Sequence, residues 1–168
     1  FLVSALAFFL VLSFALEPYQ KARIQNFMHP LTDIQGTGYN AYQSTVAVGS
    51  GKIVGKGVGY GTQSRLNYLP EHETDFIFAA FAEEWGFIGS ITLLVLYLLV
   101  VWRIVITSIR GATNFEMLFG AGVAIMVISH LIINVGMNIG ILPVTGITLP
   151  FMSYGGSHLV ALFVALGI

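Results

Sequence analysis

The sequence predicts an all-α polytopic membrane protein with about four transmembrane helices and one long loop between the first two. Three observations carry this. Of the 168 residues, 56% are apolar and only 9% are charged, whereas about a quarter of a soluble domain is charged. Mean hydropathy is +0.84. The apolar residues fall into runs near the length that crosses a hydrocarbon core. The net charge of −1, with Lys and Arg scattered, argues against a nucleic-acid partner. The absence of cysteine excludes disulfides and thiolate metal sites.

The first run, residues 1–16, carries no charge and spans about 24 Å as a helix. It opens on Phe1 without a basic leader, so it does not read as a signal peptide. Both ends of the chain read as cuts through apolar helices, which predicts a piece of a larger membrane protein. Residues 17–75 form a loop too long for a simple connector. Its middle, residues 38–51, has weak helical spacing and predicts a short interfacial or re-entrant helix, and the glycines of residues 49–61 predict a tight turn. The second span is read as 76–102, with Trp85 and Trp102 about 26 Å apart as interfacial anchors. A connector at 103–116 leads to a third span at 117–135, a loop at 136–153 and a fourth span at 154–168. Charge leaves the orientation open. Arg103 and Arg110 favour a cytoplasmic short connector, while the long loop carries Lys21, Arg23, Lys52, Lys56 and Arg65.

The chemistry concentrates where Glu71, Glu73 and Asp75 precede the second span. Charge beside hydrocarbon is costly unless it faces water, a partner or a substrate. The three acids suit a hard divalent cation or simply a helix N-terminus. Asp75, Ala79, Ala82, Gly86 and Gly89 share a face at helical spacing, and such a small-residue stripe marks close helix packing. On the residues alone, Asp75 is an ion-pair partner, a general base or a cap, with the cap the plain choice. Glu83 and Glu84 read as structural ion-pair members.

Other patterns are weaker. Gly57-Val58-Gly59-Tyr60-Gly61 shares most of its residues with a potassium-channel filter but lacks the threonine and a pore helix. Gly49-Ser50-Gly51-Lys52 lacks phosphate-loop spacing; an anion nest beside Lys52 and Lys56 competes with a flexible turn and solvated lysines. His29, His72, His130 and His158 share no metal-ligand spacing. Asn134, Asn138 and residues 143–150 are read as separating the third helix from the fourth. The start of the fourth helix, near Ser153, is read either as capped or as an anion site.

Several strings resemble one family when taken together and in order. They include Gly38-Tyr39-Asn40, Gln43-Ser44, Gly55-Lys56-Gly57, Gly61-Thr62-Gln63, Tyr68-Leu69-Pro70-Glu71, Thr74-Asp75-Phe76, Glu83-Glu84, Asn134-Val135-Gly136-Met137 and residues 149–157. They resemble the C-terminal half of the SEDS proteins (shape, elongation, division and sporulation), closer to the rod-shape branch, RodA. Thr148 and His158 stand where that family often has Pro and Ser. The resemblance implies a peptidoglycan glycosyltransferase of the bacterial inner membrane that polymerises lipid II into glycan strands beside a class B penicillin-binding protein. It makes 17–75 and 136–153 extracytoplasmic and 103–116 cytoplasmic, and it matches Asp75 to the family's essential loop aspartate. It implies substrate contacts at Lys56, Arg23, Gln43, Ser44, Gln63, Glu71 and Ser153. A divalent cation such as Mg or Mn would sit at Asp75 and Glu71. Rival readings are a lipid II flippase, a channel and a non-catalytic scaffold.

Overall fold

The computed structural model describes Glu17, Gln20, residues 38–66, Tyr68, Leu69 and residues 73–167. The first apolar run, with Lys21, Arg23, His29, Glu71 and His72, lies outside the described residues. Among the described residues every regular element is a helix: α1 (Tyr39–Ser50), α2 (Thr62–Arg65), α3 (Ile77–Ile109), α4 (Asn114–Asn138) and α5 (Gly156–Gly167). Both α3 and α4 are long and apolar enough to cross a membrane, and α5 is a shorter apolar helix.

The helix ends follow local chemistry more closely than hydropathy. Helix α3 continues seven residues past Trp102, through Arg103 to Ile109, with Arg110 as its C-cap. One charge does not stop a run of helix-compatible residues, and Arg103 is exposed, its long stem able to carry the guanidinium outward. Helix α4 begins at Asn114 because Thr113 caps it, accepting from the Glu116 amide, while the Glu116 carboxylate accepts from the Ala112 amide. This is a close relative of the capping box. The connector therefore shrinks to residues 110–113, and α3 and α4 pack as an antiparallel pair.

Their shared core is Tyr97 and Val101 against Val123, Ala124, Val127 and Leu131, joined by Leu149 and Leu162. The Tyr97 hydroxyl donates to the Pro150 carbonyl, tying the segment after α4 back onto α3. Rings of His130 on α4 and His158 on α5 stack 5.6 Å apart. The outward faces carry exposed Ile91, Val95, Leu98 and Trp102, as a helix surface against hydrocarbon does.

Helix α3 is not continuous. At Gly86 the backbone turns to φ 67°, ψ −163°, dividing it into two helical segments, 77–85 and 87–109. Such a break strands the last carbonyls of one segment and the first amides of the next, and groups held away from water need protein partners. The glycine-rich residues 51–57 supply them. The Lys56 and Gly57 amides donate to the Glu83 and Glu84 carbonyls at 3.0 Å each. In return the Phe87 and Ile88 amides donate to the Lys52 and Ile53 carbonyls at 2.9 and 3.1 Å. Only glycine permits this approach: a Cβ on Gly55 would lie 2.1 Å from the Glu84 carbonyl oxygen, and one on Gly86 would lie 2.3 Å from the Gly55 nitrogen.

This strap corrects two expectations. Residues 51–57 are not a flexible turn but splint a broken helix, and Lys56 is paired with Glu83 while Lys52 is exposed, as expected of it. The small-residue stripe faces protein, since Ala79, Ala82, Gly86 and Gly89 are buried. It is not, however, one helical face, because the left-handed backbone at Gly86 resets the register beyond it.

Candidate active site around Asp75

Asp75 is half-buried in the turn that leads into α3, and the N-cap position falls one residue later, on Phe76. The backbone here is held from several sides. Asn134, fully buried on α4, donates its side-chain amide to the Asp75 carbonyl at 3.0 Å and to the Ile147 carbonyl at 2.8 Å. Asn138, one turn further along the same face, donates to the Asp75 carbonyl at 3.3 Å and to the Asn134 carbonyl at 2.8 Å. The Ser153 hydroxyl donates to the Thr74 carbonyl at 2.6 Å and accepts from the Leu149 amide at 2.8 Å. The Tyr154 amide closes the clamp on the Glu73 carbonyl at 2.8 Å. Three consecutive carbonyls, those of residues 73 to 75, are thus fixed by α4 and by the chain entering α5.

The rest of the site packs around this clamp. The Ser44 hydroxyl on α1 lies 2.9 Å from the Asn138 side-chain oxygen and 3.0 Å from its carbonyl. Ala47, Leu69, Phe76 and Ala79 form a small apolar cluster beneath. The segment after α4 runs past the carboxylate itself: a Cβ on Gly146 would fall 3.3 Å from Asp75 Oδ2. Replacing Asn134 with an apolar residue takes the side-chain donor from the Ile147 carbonyl and leaves the Asp75 carbonyl to Asn138 alone, and an unmet buried carbonyl costs about 1–3 kcal/mol.

The anticipated site residues thus divide into two groups. Ser44 and Ser153 join Asp75 in the clamp, and both are buried with their hydroxyls engaged on protein. Lys56 and Gln63 instead converge on Glu83, which is fully buried. Lys56 Nζ lies 2.7 Å from Glu83 Oε1, and the Thr62 amide donates to the same oxygen at 2.8 Å. The Gln63 amide donates to Oε2 at 3.1 Å. Gln63 Oε1 is buried without a partner among the described residues. Gln43 is half-buried on α1. Glu83 is the ion-pair member expected of it, whereas Glu84 accepts from the Gly59 amide. Arg23 and Glu71 lie outside the described residues, and no three His, Cys, Asp or Glu among the described residues gather as metal ligands.

Asn134 and Asn138 are the site residues that sequence reasoning misplaced. They lie inside α4 rather than breaking it, and their spacing of four, which puts both amides on one helix face, was the available signal.

Together the described residues form an all-helical arrangement with two helices of membrane-crossing length, one of them broken, and an aspartate whose backbone is held at the start of the broken helix. The chain belongs to the FtsW/RodA/SpoVE family, whose sequence profile, described as a cell cycle protein, matches residues 1–168. It is 43% identical over 155 residues to the peptidoglycan glycosyltransferase MrdB of Escherichia coli K12, covering 92% of this chain and 42% of that protein. It is 47% identical over 154 residues to a probable peptidoglycan glycosyltransferase FtsW of Thiomicrospira cyclica, covering 90% of this chain and 39% of that one. Among solved structures it is similar to a chain from a work on how a peptidoglycan synthase complex coordinates polymerization and crosslinking. That likeness has a TM-score of 0.71 at 34% identity and covers 99% of this chain and 46% of that one. A mutant of the Thermus thermophilus rod shape determining protein RodA matches with a TM-score of 0.56 at 37% identity, covering 68% of this chain and 36% of that one. The chain spans about two fifths of the length of these curated relatives.

Proposed function

We propose that this chain is the C-terminal part of a peptidoglycan glycosyltransferase that polymerises lipid II for cell-wall elongation, with Asp75 as its general base. The observation that carries the reading is the clamp: a half-buried aspartate sits on backbone fixed by Asn134, Asn138, Ser153 and Tyr154. A base that must meet a sugar hydroxyl at hydrogen-bond distance benefits from such fixing. The names of the relatives support the class of reaction.

In the proposed step a sugar hydroxyl of one chain attacks the anomeric carbon of another as its proton passes to Asp75. The new glycosidic bond forms while the bond to the undecaprenyl pyrophosphate breaks, and the pyrophosphate leaves with the electron pair. Cations near that leaving group favour its departure. Lys56 is paired with Glu83, so Arg23 or a divalent cation such as Mg or Mn is the better source of charge. A cation at Asp75 would draw further oxygen ligands from Glu71 and the pyrophosphate.

The proposed setting is the bacterial inner membrane, crossed by about four helices in this part of the chain. Residues 17–75 and 136–153 face outward, where lipid II is polymerised. A class B penicillin-binding protein is the proposed partner, supported by the likeness to a chain from a synthase complex that couples polymerization to crosslinking.

The test is to purify the full-length parent with its penicillin-binding partner and supply labelled lipid II with divalent cation. Glycan strands are the expected product. Transfer of lipid II across liposomes without polymer would favour a flippase instead.

A further inference from the structure

We infer that Glu83 and Lys56 form a positioning pair that holds the helical segment beginning beside Asp75, so that Lys56 acts through Glu83 and not on the substrate. The inference rests on the reading of Asp75 as the base. It starts from a buried charge that the proposed mechanism does not use. Glu83 is fully buried, and an ionised carboxylate is kept there only by partners.

Those partners come from three places in the preceding loop. Lys56 Nζ reaches Oε1 at 2.7 Å, and the Thr62 amide and hydroxyl reach it at 2.8 and 3.0 Å. The Gln63 amide lies 3.1 Å from Oε2, and the Ser50 hydroxyl lies 3.4 Å from Oε1. Lys56 Nζ also donates to the Thr62 hydroxyl at 2.8 Å. One carboxylate thus gathers the end of α1, the strap and the start of α2.

The connection to Asp75 runs through the break at Gly86. Residues 77–85 form a short helical segment set off from the rest of α3 by the left-handed backbone at Gly86 and joined to it across the break by the strap. Its location is therefore set by what grips its two ends. The Asp75 end is gripped by the asparagine and serine clamp, and the other end by the strap and Glu83. Loosening the Glu83 end lets the segment shift, and a base misplaced by about 1 Å costs on the order of a hundredfold in rate.

The charges make a distinctive prediction. Removing Lys56 alone leaves a buried carboxylate short of its counter-charge, whereas removing both charges relieves that cost. The test measures lipid II polymerisation by the full-length protein in complex with its penicillin-binding partner. Lys56→Met, Glu83→Gln, the double variant and Asp75→Asn are compared with wild type. Lys56→Met is expected to lower kcat by about tenfold or more while KM for lipid II stays within about twofold. The double variant is expected to recover about fivefold or more over Lys56→Met.

A double variant no better than Lys56→Met overturns the inference, and so does a raised KM with unchanged kcat, because either places Lys56 on the substrate. Should Lys56→Met fail to fold, a folded double variant supports the pair through yield and thermal midpoint, and failure of both overturns it. Wild-type activity in Asp75→Asn would remove the base assignment separately, while the Lys56–Glu83 cycle still reads out in thermal midpoint.

Discussion

Asp75→Asn in the full-length parent is expected to abolish glycan polymerisation while leaving the protein folded and bound to its partner. The amide has nearly the shape of the carboxylate but does not take a proton from an attacking hydroxyl. Losing a positioned general base costs about 10²–10⁴-fold in rate. The fold should tolerate the change because asparagine keeps nearly the same shape and the same backbone carbonyl, which Asn134 and Asn138 grip. Thermal unfolding beside the polymerisation assay separates the two effects. An unchanged thermal midpoint with no polymer is the expected pair of results, and polymer at the wild-type rate would leave Asp75 a structural residue.

Gly86→Ala is expected to be the most destabilising single methyl addition in α3. The native backbone there, φ 67° and ψ −163°, belongs to a region used almost only by glycine, and forcing another residue into it costs about 1–3 kcal/mol. The added carbon would also meet the Gly55 nitrogen at 2.3 Å and the Ile53 carbonyl oxygen at 2.7 Å. Both are backbone atoms that cannot swing aside. A loss of at least about 3 kcal/mol follows from strain and contact together. Gly122→Ala in α4 is the control, because a Cβ there meets nothing within 4 Å and alanine favours a helix over glycine. Scanning calorimetry of both variants in detergent should show a clear fall for Gly86→Ala and none for Gly122→Ala. Equal midpoints would mean that the strap does not splint the helix.

The helical class was legible because hydropathy is a local, additive signal, and α3, α4 and α5 each coincide with an apolar run. Helix ends were less legible, since they depend on single contacts such as Thr113 with Glu116. The break at Gly86 was not legible at all. Its neighbours favour a helix, and the groups that stabilise the break come from Lys52, Ile53, Lys56 and Gly57, some thirty positions earlier.

The site follows the same division. Asp75 stood out as a charge at the edge of an apolar run, and Glu83 was expected to need an ion-pair partner. Which lysine it would take, and that Ser44, Asn134, Asn138 and Ser153 would meet around one turn, depend on packing between segments up to 94 positions apart. Pairings over that distance leave no periodic trace in the sequence.

The most direct test of the central claim is a structure of the full-length parent and its penicillin-binding partner with a non-reacting lipid II analogue bound. The account predicts the attacking sugar hydroxyl within about 3.2 Å of an Asp75 carboxylate oxygen, with the anomeric carbon of the second sugar beyond it. A hydroxyl held by another residue, with Asp75 turned away from both sugars, would contradict the assignment of Asp75 as the base.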